Sequence, residues 1–236
     1  MNHASSSRYW RATVWCALAV LIATAVIAGK FPATGGDFAP GYAVPVYAFE
    51  FAREPSDLDL VFGQPSDPER ASRIKAMDQG NYWDYLFMAT YGGFLGLFFW
   101  AAYRQTGRGT WQLAAAFGVA AAICDGIENV ILIGITRDLA NAPLLEWLWI
   151  PVTLKFALLL ACAALAGWFF HALGLPIWRR CGHGLVLLAL IGSSGLIAPP
   201  EFAYLLAICI APAWLLQLIY AIGSTKRNAK DPIDDI

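Results

Sequence analysis

The feature that most constrains this sequence is the run of residues 111–135, which is apolar apart from a polar group at its centre. About 20 apolar residues in a helix cross the hydrocarbon core of a bilayer, so the run is long enough to span a membrane. The polar group comprises Asp125, Glu128 and Asn129. Ionisable groups inside a membrane are costly, and they usually face the interior of a helix bundle and mark a pathway or a site. The run therefore predicts a membrane protein with a polar centre.

The composition of the whole chain agrees with a membrane protein. Charged residues make up 14% of the chain and apolar residues 58%, whereas soluble domains average about 25% charged residues. The charges are bunched, and between them lie six predicted spans: residues 13–29, 84–103, 111–135, 147–171, 184–198 and 202–222. We therefore predict an all-α integral membrane protein, a single helical bundle over residues 1–223 followed by a disordered cytoplasmic tail over residues 224–236. The net charge of −1 gives no reason to expect a nucleic-acid partner.

Basic residues set the predicted orientation in the membrane. They occur in pairs or groups in the short loops and at the termini: Arg8 and Arg11, Arg104 and Arg108, Arg179 and Arg180, and Lys226, Arg227 and Lys230. Six crossings place all of them on one side, which the positive-inside rule makes the cytoplasm. We predict a multi-pass protein of the cell inner membrane with both termini cytoplasmic and residues 30–83 outside. A cleavable signal peptide is the alternative for residues 13–29, because small residues follow their apolar core.

The external segment between the first two spans is itself strongly apolar. Residues 44–52 are apolar with Glu50 among them, and a turn-rich acidic stretch follows. Such an amphipathic segment is expected to lie on the membrane surface or to pack over the mouth of the bundle. Ser66 and Glu69 have capping-box spacing, which predicts that a long helix begins there and continues into the second span. In the fifth span, residues 192–195 contain two glycines and two serines, so we expect that span to be tilted, broken or re-entrant.

Matched depth in the membrane predicts that the polar side chains meet. At a rise of about 1.5 Å per residue, Asp125 and Lys155 both lie some 15 Å inside the outer ends of their spans. Helical spacing puts Asp125, Glu128 and Asn129 on one face. We therefore predict one outward-opening pocket that contains Glu50, Asp84, Tyr91, Asp125, Glu128, Asn129 and Lys155.

This pocket suggests an integral-membrane enzyme that acts on a lipid or isoprenoid. The candidate catalytic residues are Asp84, Asp125 and Glu128, and the candidate substrate-binding residues are Lys155, Asn129, Tyr91 and Glu50. The carboxyl groups would act as acid and base, or as oxygen ligands of Mg²⁺ or Ca²⁺, and Lys155 would hold an anionic head group. Two carboxyl groups on one helix face with one intramembrane lysine leave a surplus acid, which should hold a proton, bind a cation or meet a polar ligand. The expected partners are the lipid bilayer and an amphipathic small molecule or lipid.

Two other functions remain open. A structural, assembly or lipid-binding protein would use the same ion pairs only to hold its helices together. A proton- or ion-coupled transporter would use the carboxyl groups as a relay, but such carriers tend to show internal repeats that are not evident here. His171 and His183 lack further metal ligands at suitable spacing, so we expect no zinc site and assign no metal-binding residue or cofactor.

Several polar motifs follow one another in a set order along residues 47–170. They are Phe49-Glu50-Phe51-Ala52, then Asp78-x-Gly80-Asn81-x-x-Asp84 with Tyr91, then Asp125-x-x-Glu128-Asn129, and finally Lys155-Phe156. Together they resemble an uncharacterised family of small bacterial multi-pass membrane proteins. The resemblance implies that these polar residues form one constellation, and it implies no particular activity.

Overall fold

The computed structural model describes residues 3–139 and 142–230, whose regular secondary structure is helical with no strand among them. The long helices are α1 (His3–Ala28), α4 (Arg70–Thr106), α5 (Thr110–Arg137), α6 (Ala142–Ala172), α7 (Pro176–Gly192) and α10 (Tyr204–Lys230). The short ones are a 3₁₀ turn (Pro40–Tyr42), α2 (Pro45–Glu50), α3 (Pro55–Phe62), α8 (Ser194–Ile197) and α9 (Pro199–Phe202). The predicted all-α fold is confirmed.

Six helical segments are long and apolar enough to cross a membrane, as the sequence predicts. Their outer surface is apolar as well: Trp15, Ile22, Val130 and Leu190 are all more than half exposed. Apolar side chains in such numbers on the surface are expected where a bundle faces lipid, while the helices satisfy their own backbone hydrogen bonds. The protein is therefore a multi-pass helical membrane bundle.

Small residues bring α4 and α5 into close contact. A Cβ atom at Gly118 would lie 2.5 Å from the Cβ of Leu95, and one at Gly92 would lie 2.7 Å from the Cβ of Ala122. Without a hydrophobic driving force between helices in lipid, close packing of this kind is a main source of helix association. The tight contact fixes which face of α5 meets α4, and that face carries the polar residues of the candidate site.

The fifth span is broken, as its glycines and serines predict. α7 ends at Gly192 and α8 begins at Ser194. The hydroxyl groups of Ser193 and Ser194 donate to the carbonyl oxygens of Leu190 and Ile191, at 2.6 and 2.7 Å. These two hydrogen bonds satisfy the serine hydroxyl groups within the span, and Ser193 keeps helical dihedral angles, so the interruption is confined to one residue.

Residues 29–69, which we call the connecting segment, pack over one end of the bundle. Phe49 and Phe62 are fully buried and contact each other edge to face, with ring centroids 5.0 Å apart. Phe51 stacks on Phe156 of α6 at 6.0 Å. Of the two arrangements expected for this segment, the structure therefore has the one in which it covers the mouth of the bundle. Glu50, the last residue of α2, is carried into the interior by this packing.

Two predicted boundaries differ from the structure. The helix predicted to begin at Ser66 begins at Arg70 instead, because Oδ1 of Asp67 accepts the N–H of Glu69 at 2.8 Å and holds the preceding residues in a turn. At the other end, α10 continues to Lys230, past residue 224, from which a disordered tail was predicted. Ser224 is buried in the bundle. Residues 231–236 of the predicted tail lie outside the described part of the chain.

Candidate functional site

The ammonium group of Lys155 lies at the centre of a buried group of carboxyls. Its Nζ lies 2.8 Å from Glu128 Oε1, 3.1 Å from Asp125 Oδ1 and 3.3 Å from Glu50 Oε1. Lys155 is 4% exposed and Glu128 is fully buried. The predicted ion pair of Lys155 with Asp125 or Glu128 is confirmed, and Glu50 is a third partner. We call these four residues the Lys155 cluster.

Three separate elements supply the Lys155 cluster. Asp125 and Glu128 lie one turn apart on the inner face of α5, Lys155 comes from the middle of α6, and Glu50 comes from the end of α2. Each element is held by its own packing, so the four groups meet because of the fold rather than through local sequence. One ammonium group faces three carboxyl groups. The sequence predicted a surplus of one carboxyl group over the lysine on α5 and α6, and Glu50 raises this surplus to two.

Hydrogen bonds connect this cluster to α4. The Tyr91 hydroxyl donates to Asp125 Oδ2 at 2.8 Å. Asn129 Nδ2 donates to Asp84 Oδ2 at 2.9 Å and to the carbonyl oxygen of Asn81 at 3.2 Å. The structure therefore brings together every predicted site residue: Glu50, Asp84, Tyr91, Asp125, Glu128, Asn129 and Lys155. The outward-opening pocket predicted from the sequence is not what they form, because the Lys155 cluster is buried beneath the connecting segment.

The polar contacts between α4 and α5 extend beyond the predicted residues. The Thr136 hydroxyl donates to Asp78 Oδ1 at 2.6 Å. Asp78 precedes Tyr91 by thirteen positions, which corresponds to about 20 Å along a helix. A line of polar side chains thus runs between the two helices from the Lys155 cluster to the covered end of the bundle. Sequence reasoning missed Asp78 and Thr136 as site residues, although their spacing from Asp84 and Asn129 places them one to two turns away.

Three side chains in this region carry buried polar atoms without a hydrogen-bond partner among the described residues. Asn81 is 1% exposed, and neither its Nδ2 nor its Oδ1 has a hydrogen-bond partner. Glu50 Oε2 and Glu128 Oε2 are buried without a hydrogen-bond partner as well, although Glu128 Oε2 lies 2.8 Å from Lys155 Nζ as an ion pair. A buried polar atom left unpaired costs roughly 1–3 kcal/mol, so native proteins contain few of them, and those that occur often mark functional positions. The sequence analysis placed Asn81 in a motif and did not predict it as a site residue.

Two ionisable side chains near the site, Glu50 and Tyr47, come from the connecting segment and lie outside the spans. Burial raises the pKa of Glu50 above its ordinary value, and the nearby negative charge of Asp125 acts in the same direction, while Lys155 lowers it. Burial also raises the pKa of Tyr47, so its phenol group is neutral. Glu50 therefore enters the cluster as a carboxyl that holds its proton more tightly than an exposed glutamate.

An apolar cavity of about 420 Å³ adjoins the Lys155 cluster. It lies where α1 and α10 meet α4 and α6, and its lining includes Tyr47, Phe87 and Phe156. The Phe156 ring centroid is 4.5 Å from Lys155 Nζ, and Phe87 contacts Tyr91 with ring centroids 5.2 Å apart. One aromatic wall thus separates an apolar space from a charged one. The sequence did not reveal this cavity, because its lining comes from helices at opposite ends of the chain.

The arrangement of the carboxyl groups does not favour a metal site. Among the described residues, no group of three or more His, Cys, Asp or Glu side chains is arranged to hold a metal ion. The oxygens of Glu50, Asp125 and Glu128 converge instead on the Lys155 ammonium.

The two histidines for which no zinc site was expected lie side by side. The His171 and His183 rings are 4.9 Å apart between centroids. They belong to the facing ends of α6 and α7 and are remote from the Lys155 cluster in these helices.

No model of a protein family matches the chain, and no match was found among curated proteins or solved structures. The resemblance drawn from the polar motifs therefore stays an expectation, and the function has to be inferred from the geometry of the site.

Proposed function

We propose that this membrane protein binds an amphipathic lipid or isoprenoid and carries out acid–base chemistry on its polar end. The observation that supports this most directly is the aromatic wall of Tyr47, Phe87 and Phe156. One side of the wall lines an apolar cavity and the other side adjoins the Lys155 cluster. A ligand with an apolar chain and a polar end matches such a division.

The apolar cavity suits a hydrocarbon chain. Its volume of about 420 Å³ falls within the range of roughly 300–1,000 Å³ that is typical of small-molecule sites. Leu21 of α1 and Leu215 of α10 belong to its lining and are 57% and 58% exposed on the lipid-facing surface. A chain can therefore enter sideways from the bilayer without crossing water.

The carboxyl groups suit proton transfer. One ammonium group cannot neutralise Glu50, Asp125 and Glu128 together in a buried site, so at least one of them carries a proton and at least one is ionised. A protonated and an ionised carboxyl side by side are the pair that acid–base catalysis requires. Tyr91 and Asn129 would keep Asp125 and Asp84 in position through their hydrogen bonds.

Lys155 takes a different role in this proposal from the one that the sequence suggests. Its Nζ is surrounded by three carboxyl groups at 2.8 to 3.3 Å. An ammonium group has three N–H donors, and these contacts use them. Lys155 would therefore orient the carboxyl groups and would not hold an anionic head group.

A proton-coupled carrier is the second candidate, and one observation favours it. Polar pairs occur at successive levels between α4 and α5, from Thr136–Asp78 near the covered end to Tyr91–Asp125 at the Lys155 cluster, and intramembrane acids in such a series are typical of proton relays. A purely structural role for the cluster predicts neither a bound chain in the cavity nor turnover that depends on the carboxyl groups.

Filling the cavity tests the binding part of the proposal. Ala211→Trp would place a large ring in the cavity, whereas Ile208→Trp puts the same ring on the lipid-facing side of α10, where it does not line the cavity. Mass spectrometry of lipids that remain bound to the purified protein should detect a retained amphiphile in the wild type and in Ile208→Trp, and lose it in Ala211→Trp. Equal retention in all three proteins would refute a chain bound in this cavity.

Isosteric replacement tests the chemical part. Asp125→Asn and Glu128→Gln preserve shape and remove the acid. If the cluster is catalytic, at least one of them should abolish conversion of the bound amphiphile, measured as a mass change, while folded yield and melting temperature stay nearly the same. If both variants alter only stability, the enzyme and carrier functions fail together and the cluster is structural.

A further inference from the structure

We infer that the short helix α2 is a movable plug, which turns out of the mouth of the bundle, withdraws Glu50 from Lys155 and opens the Lys155 cluster to water. With α2 in place the cluster is closed, because each of its four side chains is less than a tenth exposed. The inference rests on the proposed function, since acid–base chemistry in a buried cluster needs a route by which protons enter and leave. It adds how that route is opened and closed.

A strained turn immediately precedes the plug. The N–H of Val44 donates to the carbonyl oxygen of Tyr42 at 2.8 Å, and Ala43 between them has φ 62° and ψ −32°. A γ-turn with positive φ is rare and strained, and in the described part of the chain Ala43 is the one residue other than glycine with positive φ. Its side chain is exposed, so no buried contact of that side chain holds the turn. Backbone strain of this kind is found at switch regions, where the surrounding packing maintains it.

The chain is anchored on both sides of the plug, whereas the plug itself is not. Before it, Gly41 packs against the backbone of Pro200 and Glu201 with no room for a Cβ atom. After it, α3 is tied to α4 by the ion pair of Asp59 with Arg70 at 2.7 Å. No backbone hydrogen bond joins α2 to another helix among the residues that the structure describes. The plug can therefore move while its neighbours along the chain stay in place.

Withdrawal of Glu50 leaves the rest of the cluster paired. Glu50 Oε1 lies 3.3 Å from Lys155 Nζ, which is the longest of the three carboxyl contacts of this ammonium group. When Glu50 leaves, Asp125 and Glu128 still pair with Lys155, so the lysine is not left as an uncompensated buried charge. The move replaces one carboxyl group by water and leaves the two carboxyl groups of α5 in position.

The membrane surface can receive the plug when it leaves the mouth of the bundle. The plug is apolar except for Glu50, and an apolar helix with a polar group is stable at the boundary between head groups and acyl chains. This is the other arrangement that the sequence allows for residues 44–52. Residues 52–54, which are not helical, allow the plug to turn relative to α3. The two arrangements are thus the closed and open forms of one segment.

Thiol labelling measures the opening of the plug directly. In a background without the native cysteines, Ala48→Cys and Ala52→Cys each place a thiol at a position beneath the plug that is 3% or 1% exposed, and Ala101→Cys places one in the core of α4 at a position that is 0% exposed. The protein in nanodiscs is treated with a small charged methanethiosulfonate, which reacts with thiols that reach water. We expect labelling beneath the plug to be about tenfold faster than at Ala101→Cys, because a local opening occurs more often than unfolding of the bundle.

Substitutions at the turn and at the aromatic contact should change this rate in opposite directions. Ala43→Gly relieves the strain of the closed form, so it should slow labelling of Ala48→Cys about fivefold. Ala33→Gly is the matched control, because Ala33 is exposed in the same connecting segment and has no positive φ; it should leave the rate unchanged. Phe51→Leu weakens the stacking on Phe156 and should speed labelling.

The outcomes separate this inference from the proposed function. Equal labelling rates at Ala48→Cys and Ala101→Cys would show that water enters only when the bundle unfolds, and no labelling at Ala48→Cys or Ala52→Cys would show that the plug stays closed. Either result, or equal effects of Ala43→Gly and Ala33→Gly, would overturn the inference. The rates are measured without an amphiphile, so such a failure leaves the binding of a chain in the apolar cavity untouched. Loss of the retained amphiphile from the wild type would instead refute the proposed function and leave the plug standing.

Discussion

The hydroxyl group of Tyr91 lies 2.8 Å from Oδ2 of Asp125 and ties α4 to α5 inside the bundle. The Tyr91 ring also stacks on Trp214 of α10 at 5.6 Å. One side chain thus contacts the charged cluster through its hydroxyl and the wall of the apolar cavity through its ring. The two parts of the candidate site are mechanically linked at this residue.

Tyr91→Phe should destabilise the protein while preserving the ring contact. The substitution removes the partner of a buried carboxylate oxygen, which costs roughly 1–3 kcal/mol. Tyr85→Phe is the matched control, since Tyr85 lies on the same helix and is 39% exposed. Melting temperatures in one detergent should fall for Tyr91→Phe and stay constant for Tyr85→Phe. An equal change in the two variants would contradict the hydrogen bond.

Lys155→Met should be more damaging than any single change at its partners. It leaves three carboxyl groups buried without a cation, and breaking a buried ion pair from one side costs about 3–5 kcal/mol. Adding Glu128→Gln to Lys155→Met should restore part of the lost folded yield, because one of the uncompensated acids is then neutral. Fluorescence-detected size-exclusion chromatography measures this yield. Additive losses in the double variant would show that the two residues do not interact.

Glu50 should make stability depend on pH. Because burial raises the pKa of Glu50 in the folded protein above the ordinary value of 4.5, the folded state holds this proton more tightly than the unfolded state. The stabilisation is complete below the unfolded value and is lost as the pH rises through the raised folded value. The melting temperature of the wild type should therefore decline as the pH rises above about 4.5. Glu50→Gln should flatten this decline, and an identical pH profile in that variant would refute the assignment.

The predicted topology can be checked with single cysteines. Ser66 and Lys226 are both exposed, whereas Ser224 is buried and would label poorly. In a background without the native cysteines, Ser66→Cys should react with an impermeant thiol reagent added outside cells, and Lys226→Cys should react only after permeabilisation. The opposite pattern would invert the orientation that the basic residues predict.

Helix geometry explains why the cluster could be predicted from sequence. Asp125 and Glu128 are one turn apart, so they share a face in any helix, and Lys155 lies at the same depth in the next span. Each span has only one way to shield such groups from lipid, which is to turn them inward. Glu50 was predicted to join them because it interrupts an apolar segment outside the spans.

Long-range packing explains what the sequence did not show. The cavity depends on Ala17 of α1 and Trp214 of α10, which come from opposite ends of the chain and have no motif in common. Asn81 was not predicted as a site residue, because nothing in the sequence shows that its side chain is buried. α4 begins later than predicted because the Asp67 carboxylate accepts the N–H of Glu69. The spacing of residues alone does not show which of two such local hydrogen bonds forms.

The pairing of Lys155 with Asp125 and Glu128 joins two helices that are consecutive in the chain. During synthesis α5 would reach the membrane first, with its acids unmatched, and α6 would follow with an unmatched base. Each charge alone opposes insertion by about 2.5–3.5 kcal/mol, so the two helices should leave the translocon as one hairpin. A nascent chain stopped after residue 139 should therefore insert α5 less efficiently than one extended through residue 172, and Lys155→Met should remove that advantage. The Lys155 cluster would then aid membrane insertion of the protein as well as the stability of its folded state.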